Sequence, residues 1–239
     1  MSSDAGALYL LPNTLGDTVP EAVIPAAALQ RARSLDYFIA EDPKSARAFL
    51  RRVGFPKPLQ QARIERLDHN SRPEDMPALL DPVLGGGDAG LLSEAGLPAI
   101  ADPGAALIRL AHEKGLRVVP LSGPSSIFLA LAASGLDGQR FAFHGYLPVK
   151  QPDLVKVLAE IERESRRLTQ TQIFIETPYR NEATLAAMLR ALNEDTLVCL
   201  ASDLTLESES VSTRSVRGWR AATPRLKGRP TVFLLLSLR

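Results

Sequence analysis

Two Gly/Pro-rich turns between Leu91 and Lys150 restrict the folds open to this chain more than any other feature. The stretch reads LLSEAGLPAIADPGAALIRLAHEKGLRVVPLSGPSSIFLALAASGLDGQRFAFHGYLPVK. Each turn, SEAGLPAIADPG and then PLSGPSS, follows a short apolar run and precedes a helix-like run. Strand-to-helix turns of this kind expose backbone N–H groups at a helix start, which suits a polar or anionic ligand. Two of them so close in sequence point to one ligand held from two sides. The end of the stretch, FAFHGYLPVK, reads as a connector into a second unit.

The rest of the chain extends the same alternation. Short apolar runs predict strands at Ala7 to Leu11, Asp36 to Ala40, Ala62 to Leu67, Ala89 to Leu92 and Leu116 to Leu121. Between them, helices are predicted over Val19 to Ala32, Ser45 to Val53, Met76 to Leu84 and Ala105 to Lys114. Pro20 is tolerated in a first turn. Asp102 reads as the N-cap of the last of these helices, with Pro103 just inside and Gly115 as its stop. Alternating strands and helices imply a mostly parallel sheet with helices on both faces. Beyond the connector the elements lengthen, with helices over Pro152 to Arg167 and Glu182 to Leu192. In the first of these, Leu154, Val157, Leu158 and Ile161 fall at helical spacing. Strands follow at Gln172 to Ile175, Leu197 to Ala201 and Val211 to Val216, the last expected to pair antiparallel, and Thr231 to Ser237 is expected to close the sheet. The expected architecture is a two-domain α/β protein. A mostly parallel sheet fills an N-terminal domain, residues 1–121, and a mixed sheet a C-terminal domain, residues 122–239.

Composition excludes some functions. The formal net charge is +1, so no global field draws the chain to nucleic acid, and an RNA-binding role needs a local basic patch. Arg214, Arg217, Arg220, Arg225, Lys227 and Arg229 fall in one acid-free run, which reads either as a phosphate contact or as a solvated face beside an edge strand. The only cysteine, Cys199 in LVCLAS, rules out an intrachain disulfide and reads as a small buried apolar residue. MSSDAGALYLLP lacks the pattern of a signal peptide, and no apolar run approaches the ~18 residues of a membrane span. A cytoplasmic enzyme is expected, with no membrane partner.

By the rule for open sheets, ligands sit beyond the carboxyl ends of the strands. This singles out Pro12-Asn13-Thr14-Leu15-Gly16-Asp17 after the first strand, unless it is an ordinary loop. Glu41 and Asp42 end the second strand, where they either orient a ribose and accept a proton or cap the following helix. His69 stands in the polar loop DHNSRPED, where solvation is the plainer reading. Ser125 and Ser126 either hydrogen-bond a ligand or cap a helix.

Taken together, SEAGLPAIADPG, VVPLSGPSS, the small-residue helix after it and GYLPVK resemble the tetrapyrrole (corrin/porphyrin) methylase superfamily. Within it the chain is most similar to the branch of the small-subunit ribosomal RNA ribose 2′-O-methyltransferases, from Leu8 to Leu236. The resemblance implies S-adenosyl-L-methionine as cofactor. It implies that Pro12, Ser93, Glu94, Ala95, Gly96, Ile100, Ala101, Asp102, Ser125, Ser126, Glu176 and Leu204 meet this donor. Asn13, Gly16, Asp17, Lys44, His69 and Arg180 would meet the substrate. Glu41, Asp42, Lys150 and His69 are the candidates for the base that takes a ribose hydroxyl proton, and the sequence does not rank them. No metal is required, because the cationic donor is already activated.

The chain departs from the branch at several positions. Glu94 replaces an Asp, Ser122 replaces a Pro, and Lys44 stands where an Arg is usual, which removes a bidentate phosphate contact. Asp17 puts a charge where an amide is common. Glu176-Thr177-Pro178-Tyr179-Arg180 keeps the branch signature, whereas Ala201-Ser202-Asp203-Leu204-Thr205 lacks its Arg. Members of the branch usually carry a further helical segment after the last strand, and this chain ends at Arg239. The resemblance implies a homodimer and RNA of the small ribosomal subunit as partner. The alternatives are a small-molecule acceptor, a tetrapyrrole or another metabolite, and a donor-binding protein without catalysis.

Overall fold

In the computed structural model, which describes residues 5–238, the chain divides into two units that meet in sequence at Ser125 and Ser126. The first unit is built on five parallel strands, β1 (Ala7–Leu11), β2 (Tyr37–Ala40), β3 (Arg63–Arg66), β4 (Ala89–Leu92) and β5 (Arg117–Pro120), in the order β3-β2-β4-β1-β5. The α-helices between them are α1 (Pro20–Val23), α2 (Ala26–Ser34), α3 (Pro43–Arg52), α4 (Met76–Leu84) and α5 (Ala105–Glu113). Side chains alternate across a strand with period two, and the core records it. Ala7, Tyr9, Leu11, Phe38 and Ala40 pack with Ala28, Leu29, Ala46, Phe49 and Leu50 of α2 and α3. Leu8, Tyr37, Ile39 and Leu91 pack on the other face with Leu80 and Val83 of α4 and Leu107 and Ala111 of α5.

This order creates a switch point. The chain leaves β1 toward β2 on one side and leaves β4 toward β5 on the other. Neighbouring strands whose connections diverge open a crevice at their carboxyl ends, where open α/β sheets take ligands.

Two expectations about this unit are corrected. The single helix expected over Val19 to Ala32 is two, because Pro25 has no N–H to give and forces Ile24 into extended backbone (φ −116°, ψ 125°). Asp102 does not cap α5. The N-cap is Gly104, at φ 137°, and no side chain caps the helix.

The second unit holds α6 (Ser126–Ser134), β6 (Phe141–Tyr146), α7 (Gln151–Leu168), β7 (Thr171–Ile175), α8 (Asn181–Ala191), β8 (Leu197–Ser202), β9 (Ser210–Ser215), α9 (Val216–Ala221) and β10 (Thr231–Leu236). Its sheet is mixed, in the order β6-β7-β10-β8-β9. The β8–β9 pair is antiparallel, as the weak alternation in β9 predicts. The first half of the connector is a strand, β6, which pairs parallel with β7 at one edge. β10 does not close the sheet but forms its middle, antiparallel to β7 on one side and β8 on the other. All six of its residues are buried, as a strand with sheet neighbours on both sides and helices above requires. Phe233 of β10 stacks on Phe174 of β7 with centroids 5.3 Å apart. Among the described residues no helix is long and apolar enough to cross a membrane.

Candidate functional site

The loops that leave β1, β4 and β5 converge at the carboxyl end of the first sheet. Asn13 is the clasp. Its backbone N–H donates to the Gly96 carbonyl at 2.8 Å, and its side-chain amide donates to the carbonyls of Ser93 (3.2 Å) and Glu94 (2.9 Å). Its own side-chain oxygen accepts from the Thr14 N–H at 2.8 Å. Asn13 is 5% exposed, so these bonds are made away from competing water. On the other flank the loop after β5 lies directly against Pro12. A Cβ added to Gly123 would stand 2.1 Å from the Pro12 Cβ, so no other residue fits without moving the loop. Gly96, at φ +68°, lies beneath Leu15 and the Pro124 carbonyl.

The loop from Ser93 to Gly104 is strained. Ala99 and Ala101, at φ 65° and 66°, adopt the left-handed conformation that a side chain disfavours. Ser93 is buried, while Glu94, Ala95, Ile100 and Ala101 are exposed along the loop. Arg52, at the end of α3, holds the first loop from beneath. It donates to the Thr14 hydroxyl at 3.2 Å and to the Thr18 carbonyl, with Asp17 at 3.9 Å.

Three carboxylates surround this junction. Asp102 is pushed up to about 6, first by burial, then by the neighbouring charge of Glu41 and that of Glu94, against a hydrogen bond from Ser93 that favours the anion. Burial likewise raises Glu41, with Glu94 as the next cause. Asp42 goes the other way. Both its oxygens are taken by the start of α3, from the N–H groups of Lys44 (3.2 Å) and Ser45 (2.9 Å) and the Ser45 hydroxyl (2.8 Å), and these bonds hold it below the usual carboxylate range. His69 is exposed, hydrogen-bonds Asn70 at 3.1 Å and lies near enough to Glu41 and Asp68 for its charge to favour their ionised forms. Gly16, Asp17 and Lys44 lie at or near the surface around the same loops, with Asp17 and Lys44 exposed. Among the described residues no group of His, Cys, Asp and Glu is placed to hold a metal ion.

The remaining candidates, Ser125 apart, belong to the second unit. Glu176, almost wholly buried, pairs with Arg180 at 2.9 Å and accepts from the Thr177 N–H at 2.7 Å. Leu204 is buried in the turn after β8, and Ser126 opens α6, while Ser125 is buried at the end of the first unit. Lys150 is exposed at the N-cap of α7. The basic run is largely spent inside the unit. Arg217 pairs with Glu194 and Asp195, Arg229 pairs with Asp203, and Arg214 lies 4.9 Å over the Trp219 ring. Cys199 is buried in β8 and burial pushes its thiol up.

Sequence reading missed two parts of this arrangement. Arg52 ends a helix of ordinary amphipathic pattern, and nothing local marks it as a loop support. The left-handed alanines carry no signal either, since nothing in an alanine side chain favours positive φ. The close contact of Gly123 with Pro12 had one available clue, a glycine flanked by serine and proline in the second turn.

A first unit with ligand loops at a switch point, joined to a mixed sheet, defines an α/β protein of the fold found in tetrapyrrole methyltransferases. The solved methyltransferase CobJ shares it with a TM-score of 0.63 at 16% identity, over 98% of this chain and 95% of that one. Cobalt precorrin-4 methyltransferase CbiF does so with a TM-score of 0.58 at 18% identity, over 96% and 94%. The chain belongs to the tetrapyrrole (corrin/porphyrin) methylase family of methyltransferases, whose family model matches residues 21–217. It is 33% identical to the ribosomal RNA small subunit methyltransferase I of Haemophilus influenzae, over 92% of this chain and 74% of the relative. It is 34% identical to the protein of that name from Escherichia coli, over 86% and 68%.

Proposed function

We propose that the protein transfers a methyl group from S-adenosyl-L-methionine to a ribose hydroxyl in RNA of the small ribosomal subunit. The observation that carries the donor assignment is the meeting of the loops after β1, β4 and β5 around Glu41, Glu94 and Asp102. When bound, the donor supplies a methyl group on a cationic sulfonium. Like-charged carboxylates set close together, two of them half-buried, are costly alone and are relieved by a cation, so these residues fit that group. The name shared by the curated relatives supports the RNA acceptor.

The chain's own contribution is positioning, exclusion of water and removal of one proton. Of the four candidate bases, Glu41 suits the last task best. Its carboxyl is raised by burial and by the charge of Glu94, stands at the end of β2 and, unlike that of Asp42, caps no helix. Asp42 is committed to α3, and His69 is held at the surface. Asn13 and Arg52 act by fixing the loop that meets donor and substrate. Association as a homodimer is supported by the exposed Phe128 and Phe141, packed edge-to-face at 6.1 Å beside the edge strand β6.

A small-molecule acceptor is the second reading, favoured by the near-neutral charge and by the internal pairing of Arg217 and Arg229. Labelled donor is added to an extract of a strain lacking the gene, with and without the protein. Label in small-subunit RNA, resistant to base hydrolysis at one linkage, is the expected result. Label confined to the small-molecule fraction would transfer the assignment to the second reading.

A further inference from the structure

In the first unit most cationic side chains are spent on nearby acids. Arg31 pairs with Asp88, Arg33 with Glu21, and Arg66 with Asp68. α3 is different. Lys44, Arg47 and Arg51 are all exposed, and among the described residues none has a carboxylate partner. Arg47 makes only a long 3.5 Å bond to the Pro43 carbonyl of its own helix. At 100° per residue the three side chains fall within an arc of about 60°, with neighbours about 5–6 Å apart at Cβ. The helix, PKSARAFLRR, contains no acid. By contrast α7, which also carries Lys156 and Arg163, interleaves them with Glu160 and Glu164.

The stripe lies beside the converging loops. α3 starts directly after Glu41 and Asp42, so Lys44 stands at the carboxyl end of β2, beside the converging loops, and Arg47 and Arg51 lead away from it. Only Ala48 adds an apolar group to the exposed face, so the surface offers nothing to insert into a membrane. We infer that the Lys44–Arg47–Arg51 face of α3 holds the phosphate backbone of the RNA substrate. Two guanidinium forks and one ammonium are suited to phosphate oxygens, and contacts to phosphate position a nucleic acid without reading its sequence. This rests on the RNA reading proposed above. It also relocates the phosphate surface from the Arg214–Arg229 run, where Arg214, Arg217, Arg220 and Arg229 are engaged within the second unit, to an element the sequence marks only by its arginines.

The test is fluorescence anisotropy of the full chain with a fluorescein-labelled oligouridylate, over a range of salt. The variant Lys44→Ala/Arg47→Ala/Arg51→Ala is expected to bind more weakly and to lower the slope of log K against log salt by about two, at roughly 0.7 per single-strand phosphate contact. Arg47→Lys/Arg51→Lys is expected to keep the slope, and Arg225→Ala/Lys227→Ala to leave both slope and affinity unchanged. Should the triple variant not fold, Arg47→Gln alone is expected to lower the slope by about 0.7. An unchanged slope in the α3 variants, an equal loss in the Arg225/Lys227 variant, or equal competition by poly-L-glutamate would overturn the assignment. Methyl incorporation into isolated small ribosomal subunits is measured in parallel. Its absence, with α3-dependent RNA binding intact, would count against the enzyme reading and not against this surface.

Discussion

Asp102 shows how one residue's role depends on depth rather than on its neighbours in sequence. Asp-Pro-Gly before a helix matches a capping signature, and that reading fails because the turn folds inward and leaves Gly104 to cap α5. Nothing in the sequence distinguishes the two outcomes, since both use the same three residues. Its carboxyl, ordinarily at 3.8, stands at about 6 in the folded protein, so ionisation is easier in the unfolded chain. Stability from this site is therefore complete below the unfolded value and is withdrawn as pH rises toward about 6. Asp102→Asn is expected to raise the melting temperature by a few degrees at pH 7.5, to leave it nearly unchanged at pH 4, and to weaken donor binding at the higher pH. Calorimetric melts at both pH values check this, and a variant less stable than the parent at pH 7.5 would contradict it. Gly123 makes a complementary case. Gly123→Ala puts a methyl group 2.1 Å from Pro12, and relief by loop movement is expected to cost about 1–3 kcal/mol in urea unfolding and to weaken donor binding.

At the scale of elements, α3 separates a structural acid from a chemical one. Asp42 accepts from two backbone N–H groups, so removing it exposes donors that water alone must satisfy. Asp42→Ala is expected to cost about 1 kcal/mol of stability, and Asp42→Ser to restore most of it, with turnover kept in both variants. Glu41→Gln is expected to lose turnover while binding donor. Loss of turnover in Asp42→Ser with Glu41→Gln still active would reverse the two roles. The elements themselves were largely legible. β1, α4 and β4 run between the residues that their apolar runs predict, because short buried strands and a helix stopped by Gly85-Gly86-Gly87 are local matters. The failures have long-range causes. β6 reads as a connector because its Phe141, His144 and Tyr146 become a strand only through pairing with β7. β10 reads as a final edge because its central place is set by two partners distant in sequence, Thr171–Ile175 and Leu197–Ser202.

For the whole molecule, net charge is a poor guide to surface charge. A formal +1 hides the acids Glu41, Glu94 and Asp102 and an acid-free face on α3 within the first unit, while two cations of the most basic run, Arg217 and Arg229, are paired with Glu194, Asp195 and Asp203 in the second. The family was readable from the two Gly/Pro turns. The clasp at Asn13 was not, because it joins residues some eighty positions apart. The account's central claim is that these loops bind the sulfonium donor, and titration calorimetry of the intact protein with S-adenosyl-L-methionine tests it most directly. The prediction is saturable binding that tightens as pH rises through about 6 and releases a proton near that pH, with both effects absent in Asp102→Asn. A folded sample that gives no binding at any pH, or binding indifferent to both Asp102→Asn and Gly123→Ala, would contradict it.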